Sequence, residues 1–164
     1  MSKPPRQPAE SGDFRDPLEC YDPKTYEDPL QQALVDESVA AIQSTPYASV
    51  SPHTPVRQAV QQLADLHVAC LLVEDHGKLV GVFTDRDVLD RVALEFDLVQ
   101  DRPVSEVMTM EPIFVYDTDS AASVLSVMAV SGYRHVPVLS ANKTIVGVAS
   151  PQRVTDFLQR YFED

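Results

Sequence analysis

A chain of 164 residues, 44% hydrophobic and 23% charged, has ordinary globular composition and can bury one core or two small ones. Its formal charge of -12 excludes a nucleic-acid or anionic-membrane surface, because both require clustered Lys and Arg against phosphate. An anionic small molecule would have to be met by local cations, for which Arg86, Arg134, His135, Lys143 and Arg153 are the candidates.

No apolar run reaches the roughly 18 residues of a membrane helix, and the N-terminus lacks the apolar segment of a secretory signal, so a cytoplasmic location is expected. Cys20 and Cys70 form no metal or redox spacing, and Cys70, inside "ACLLV", reads as a small buried hydrophobe. Six of the 13 prolines fall within the first 29 residues, which predicts a flexible or extended arm over residues 1–27. From Asp28 the pattern changes. "PLQQALVDESVAAI" sets Leu30, Leu34 and Ile42 on one helical face with Pro29 in the first turn, and this helix is expected to pack on the repeat C-terminal to it.

The remainder is a duplication. A shift of 65 pairs Val39 with Val104, Val50 with Val115 and Val73 with Val138; one inserted residue then pairs Gly81 with Gly147 and Val88 with Val154. Each copy reads strand, helix, strand, strand, helix. In the first, "YASVS" is a strand, Thr54 and Pro55 open a helix burying Val56, Ala59, Val60 and Leu63, and "ACLLVED" and "KLVGVFT" form a hairpin turning at His76 and Gly77. "DRDVLDRVALEF" closes the copy as a helix with Val88, Leu89 and Val92 at helical spacing. In the second, "PIFVY" is the strand, Asp119 starts a helix carrying Ala121, Val124, Leu125 and Met128, and Gly132 stops it. "RHVPVLS" and "TIVGVAS" make the hairpin around Asn142 and Lys143, and "QRVTDFLQRYF" is the last helix. The expected division is therefore 28–98 for the first repeat with its leading helix and 99–164 for the second, with no length left over for a separate catalytic domain.

"PVSEVMT", "VSPHTPVRQAV", "RHVPVLS" and above all "GVFTDRDVL" together resemble a tandem pair of CBS domains, or Bateman module, across about residues 38–162. The resemblance implies an α+β fold: two β-α-β-β-α repeats packed sheet to sheet about a pseudo-twofold axis, with a cleft on either side. In many members such a cleft holds AMP, ADP, ATP, S-adenosylmethionine or a dinucleotide, and the module reports ligand state to an enzyme, channel or transporter. The family's nucleotide motif is Gly, two apolar residues, Ser or Thr, two variable positions and Asp, and residues 81–87 match it throughout.

The resemblance places Thr84 where its hydroxyl can bond ribose or phosphate, and Asp87 where its carboxylate can accept from two ribose hydroxyls. Val82 and Ala69, with Ile113, Arg134 and His135 from the other copy, correspond to further cleft positions. Thr84 and Asp87 equally satisfy a capping box, which needs no ligand. The duplicate supplies a control: "GVASPQR" keeps a helix start at Ser150 and Pro151 but puts Arg153 where Asp87 stood. That substitution predicts one competent cleft and one altered or empty cleft, at which Arg153 could still meet a phosphate.

Other residue groups read as structural. Tyr47, Tyr133, Phe83 and Phe114 occupy strand positions that suit core packing. His53, His67 and His76 read as surface residues, and Glu74 with Asp75, or Glu95 with Asp97, as a solvated rim. No catalytic or metal-ligating constellation is recognisable, and no cofactor is required. The expected function is a regulatory module that binds an adenine nucleotide or another adenosyl ligand, forms a homodimer and controls a partner protein. The alternative is a ligand-independent dimerisation or interaction module.

Overall fold

The computed structural model describes Tyr26 and residues 28–162. The arm expected over 1–27, apart from Tyr26, and Cys20 within it lie outside the described residues.

Helix α1 (Pro29–Asp36) begins as its sequence dictates, with Asp28 accepting the Leu30 N–H and Pro29 in the first turn. It ends at Asp36, so Ile42 lies beyond it, after a 3-10 turn at Val39–Ala41. The chain leaves the helix because the backbone finds partners elsewhere: Val39 and Ala40 N–H groups donate to the carbonyls of Asp119 and Asp117, and Ala121 N–H donates to Glu37. Ala33, Val39 and Ile42 are buried in the core of the second repeat. The leading segment thus packs against the distant copy rather than the adjacent one.

In the first repeat, β1 (Ser49–Val50) runs parallel to β2 (Cys70–Asp75), which pairs antiparallel with β3 (Lys78–Thr84). His76 and Gly77 both have positive φ, 49° and 78°, as a two-residue hairpin turn with matching twist requires. Helix α2 (Val56–Leu66) buries Val56, Ala59 and Leu63 on one stripe and stops with His67 in the left-handed region. A fourth strand, β4 (Thr109–Met110), returns from the inter-repeat connection to pair with β3, giving the order β1-β2-β3-β4. Val99, Val104, Val107 and Met108 from that connection fill the first core beside Phe83 and Val92.

The closing helix of this repeat departs from the expected regular helix. It is a turn of α-helix, α3 (Asp85–Asp87), then a π-helical stretch Val88–Val92, a 3-10 turn Ala93–Glu95 and a last turn α4 (Phe96–Val99). Widening to the π form shifts the face by one residue. Val92 is buried while Leu89, expected beside it, is 70% exposed.

The second repeat is β5 (Val115–Tyr116), α5 (Ala121–Ser131), β6 (Val136–Leu139), β7 (Ile145–Ala149) and α6 (Pro151–Gln159), with sheet order β5-β6-β7. Of the strand expected over "PIFVY" only Val115 and Tyr116 pair with β6; Ile113 and Phe114 are exposed. Asp119 does not start α5. Its carboxylate accepts the Tyr116 N–H and closes a turn, and Ser120 holds the N-cap position. Gly132 ends α5 with a φ of 69°, as expected.

The two sheets meet face to face. On β2 and β3, Leu71, Val73 and Phe83 point to their own helices, whereas Cys70, Leu72 and Val82 point to the other sheet, the period of two that a strand imposes. Leu139, Ile145 and Val148 answer them from β6 and β7. Burial of such side chains contributes about 1.5–3 kcal/mol each. Between the two hairpin turns, Lys78 forms a backbone bridge to Thr144.

Candidate functional site

The stretch 81–87 is shaped by what lies over it. A Cβ at Gly81 would come within 2.9 Å of the Met108 methyl carbon and 3.0 Å of the Thr109 carbonyl, so glycine lets β4 and the Met108 side chain lie close on β3. β3 then delivers Thr84 to the start of α3. The capping box expected there is complete: Asp87 N–H donates to Thr84 Oγ1 at 3.3 Å, and Thr84 N–H donates back to Asp87 Oδ2 at 2.9 Å.

The carboxylate of Asp87 does more than cap. Oδ2 also accepts the Thr84 hydroxyl at 2.7 Å, and Oδ1 accepts the Thr109 hydroxyl at 3.0 Å. Arg91, one turn on, stands 3.5 Å from Oδ1 and donates to the carbonyls of Val107 and Met108 at 3.0 and 2.7 Å. Asp87 is only 5% exposed. A carboxylate offers about four acceptor positions, and three are taken by hydrogen bonds, with Arg91 beside the fourth. A ligand hydroxyl must therefore share Oδ1 or displace Thr109.

Directly over this group opens a cavity of about 260 Å³. The first repeat contributes Val82, Thr84 and Asp87, together with Asp85, Arg86, Leu89 and Asp90. Thr109 and Pro112 enter from the connection, and Gly132, Tyr133, Arg134 and His135 from the second repeat. Five of the residues expected at one cleft, Val82, Thr84, Asp87, Arg134 and His135, are thus gathered from both copies. Ala69 and Ile113 are not in its lining: the Ala69 carbonyl accepts the Asp85 N–H at the strand end, and Ile113 is 48% exposed. Tyr133, read from sequence as core, lines the cavity instead.

Burial holds the His135 imidazole below its ordinary pKa, against the upward pull of the Asp85 carboxylate and with Arg134 and Arg153 pushing it further down. Neutral His135 can donate or accept one hydrogen bond, and an arriving phosphate would favour its protonation.

The duplicate position has been remade. Ser150 Oγ accepts the Arg153 N–H and caps α6. The Arg153 side chain then turns back over the strand, donating to the Val148 carbonyl at 2.8 Å and to the Pro46 carbonyl. Ser44 takes the place that Thr109 has in the first repeat: its carbonyl accepts the Val148 N–H. Where the first repeat carries the acceptor Asp87, the second thus carries a donor, Arg153, satisfied from within the protein.

Sequence reasoning does not find Thr109 and Arg91 as site residues. Arg91 carries a usable signal, an acid and a base four apart on a helix; Thr109 lies 22 positions from its partner and carries none beyond the fragment "EVMT". Among the described residues no group of three or more His, Cys, Asp or Glu side chains is placed to hold a metal ion, and no helix is long and apolar enough to cross a membrane.

Fold and site together define a duplicated α+β module with a cavity lined from both repeats. The chain belongs to the CBS domain family, whose model matches residues 39–94 and 104–160. Proteins of this family are generally regulatory rather than catalytic. Over 113 residues the chain is 30% identical to the CBS domain-containing protein YhcV of Bacillus subtilis, covering 69% of this chain and 79% of YhcV. It is also 30% identical over 118 residues to the CBS domain-containing protein CBSCBSPB1 of Arabidopsis thaliana, covering 71% of this chain but only 22% of that much longer protein. A CBS domain protein of Pyrobaculum aerophilum, solved in complex with AMP, superposes with a TM-score of 0.65 at 25% identity, over 75% of this chain and 98% of its own.

Proposed function

We propose that this chain is a regulatory module that binds an adenine nucleotide or other adenosyl ligand in the cleft at Thr84 and Asp87, without turning it over, and thereby controls a partner protein in the cytoplasm. The observation that carries this reading is the convergence of an intact 81–87 motif with Arg134 and His135 of the other repeat on one cavity. The AMP complex of the Pyrobaculum relative supports the ligand class. Val82 supplies an apolar wall, Thr84 and Asp87 face the ribose, and Arg86, Arg134 and His135 supply the local positive groups that the acidic chain otherwise lacks. Arg153 leaves the second cleft altered, so one ligand per chain is expected.

Signalling requires that the ligand favour one of two arrangements. Asp87 is tied through Thr109 and Arg91 to the connection between repeats, so a hydroxyl competing for Oδ1 would loosen that tie. A homodimer is part of the proposal, supported by the exposed apolar side chains Leu94, Leu98 and Val130 on helical segments. The saturated carboxylate of Asp87 favours the alternative, a ligand-independent dimerisation or interaction module, and one experiment separates the two. Thermal unfolding is followed with AMP, ADP, ATP, S-adenosylmethionine and NAD, on the parent and on Asp87→Asn. A ligand at about 100 times its dissociation constant adds roughly 2.7 kcal/mol. Stabilisation of the parent that Asp87→Asn loses supports the sensor; no shift with any compound, in folded protein free of bound nucleotide, supports the interaction module.

A further inference from the structure

A second cavity, of about 520 Å³, lies at the hairpin end of the sheet interface. Leu79, Pro112, Phe114 and Leu139 give it apolar wall, with Asn142 and Glu111 beside them. Its rim carries Lys78 and Lys143, which are the only two lysines among the described residues. The backbone bridge between Lys78 and Thr144 places the two hairpin turns side by side, so the backbones of both lysines sit at one end of the sheet interface. Glu111 shares the cavity, yet among the described residues neither lysine lies within ion-pair distance of any carboxylate.

In a chain with 25 acidic residues against 13 basic ones, two lysines at one cavity and outside ion-pair distance of every described carboxylate leave their positive charge available to an anionic ligand. Lys143 has a φ of 62°, as its place in the β6–β7 hairpin turn requires, and Glu111 has one of 47°. Phe114 stays 36% exposed although Tyr116 offers it an edge-to-face partner.

We propose that this cavity is a second ligand site, separate from the Thr84 and Asp87 cleft, for a small polyanion carrying a planar or apolar body. The two ammonium groups meet the negative charges, and Phe114, Leu79 and Leu139 cover the body. Pro112 borders both cavities, and no other lining residue is shared between them.

The test uses two probes on the full chain: inorganic pyrophosphate for the charge alone, and naphthalene-1,5-disulfonate for charge with a planar body. Binding is read by titration calorimetry on the parent, on the double variant Lys78→Gln, Lys143→Gln, and on Asp87→Asn. Both lysines are exposed, so their variant folds. The expected result is saturable binding of the disulfonate, weakened about tenfold in the lysine variant, as the loss of two ion contacts implies, and unchanged in Asp87→Asn. Pyrophosphate should bind more weakly than the disulfonate and lose affinity with added salt. Absence of saturable binding by both probes, equal affinity in the lysine variant, or loss of binding in Asp87→Asn would each overturn the proposal. None of these outcomes depends on whether the first cleft takes an adenosyl ligand.

Discussion

Replacing Asp87 with alanine removes the acceptor of three hydrogen bonds, from Thr84 N–H, Thr84 Oγ1 and Thr109 Oγ1, and leaves Arg91 without its carboxylate. Hydrogen bonds to a charged group contribute about 1.5–3 kcal/mol each in buried settings. The cavity above Asp87 admits water to the freed donors, so the low end applies and part of each bond is recovered. The net loss is about 3 kcal/mol, of which the helix cap accounts for about 1. For a domain of this size that lowers the melting temperature by roughly 10 °C. Asp87→Asn preserves the shape and one acceptor oxygen, and should cost about half as much. Urea denaturation of the parent, Asp87→Ala, Asp87→Asn and Thr109→Val measures the series, with Thr109→Val expected near about 1 kcal/mol. A loss below about 1 kcal/mol for Asp87→Ala would show that the network around the carboxylate does not hold β4 to α3, and the coupling proposed between cleft and connection would fail with it.

The buried imidazole of His135 predicts a pH effect. Its pKa is lower in the folded chain than the ordinary 6.5, so the unfolded chain binds the extra proton first; stability should be level above about pH 7 and fall as pH drops below about 6.5. Urea unfolding at about pH 7.5 and about pH 5.5 should show a smaller difference for His135→Gln than for the parent. Gly147→Ala should destabilise more than Gly81→Ala, because a Cβ at 147 falls on the Ser44 backbone, with the carbonyl carbon at 2.6 Å, whereas at 81 the closest obstruction is the flexible Met108 side chain; calorimetric melting temperatures test the order. The Cys70 thiol, its pKa pushed up to about 12 chiefly by burial, should resist iodoacetamide in the folded protein at about pH 8 and react at the rate of unfolding, as peptide mapping by mass spectrometry would reveal.

Most element types are legible in the sequence because their signals are local. Val56, Ala59 and Leu63 recur at helical spacing; His76 and Gly77 suit a tight hairpin turn; Gly132 has the backbone freedom to end a helix. The duplication and the 81–87 motif point to Thr84 and Asp87 for the same reason, since the capping box is completed within four residues. Sequence and structure part where tertiary partners outweigh local pattern. Asp119 resembles a helix cap, but its carboxylate is taken by the Tyr116 N–H, and Leu89 keeps helical spacing on paper while a π-helical stretch turns it outward.

The sequence by itself determined the two repeats, their order of strands and helices, the loss of the acid at Arg153 and the chemistry available at residues 81–87, because each depends on residues close together along the chain. Only the tertiary structure decided that α1 packs on the second repeat, that Thr109 and Arg91 share Asp87, that Tyr133 faces a cavity and that Lys78 and Lys143 stand at one rim. Those contacts join segments far apart along the chain or depend on how two sheets are set against each other, and no periodicity along one strand or helix encodes the angle at which it meets its neighbour.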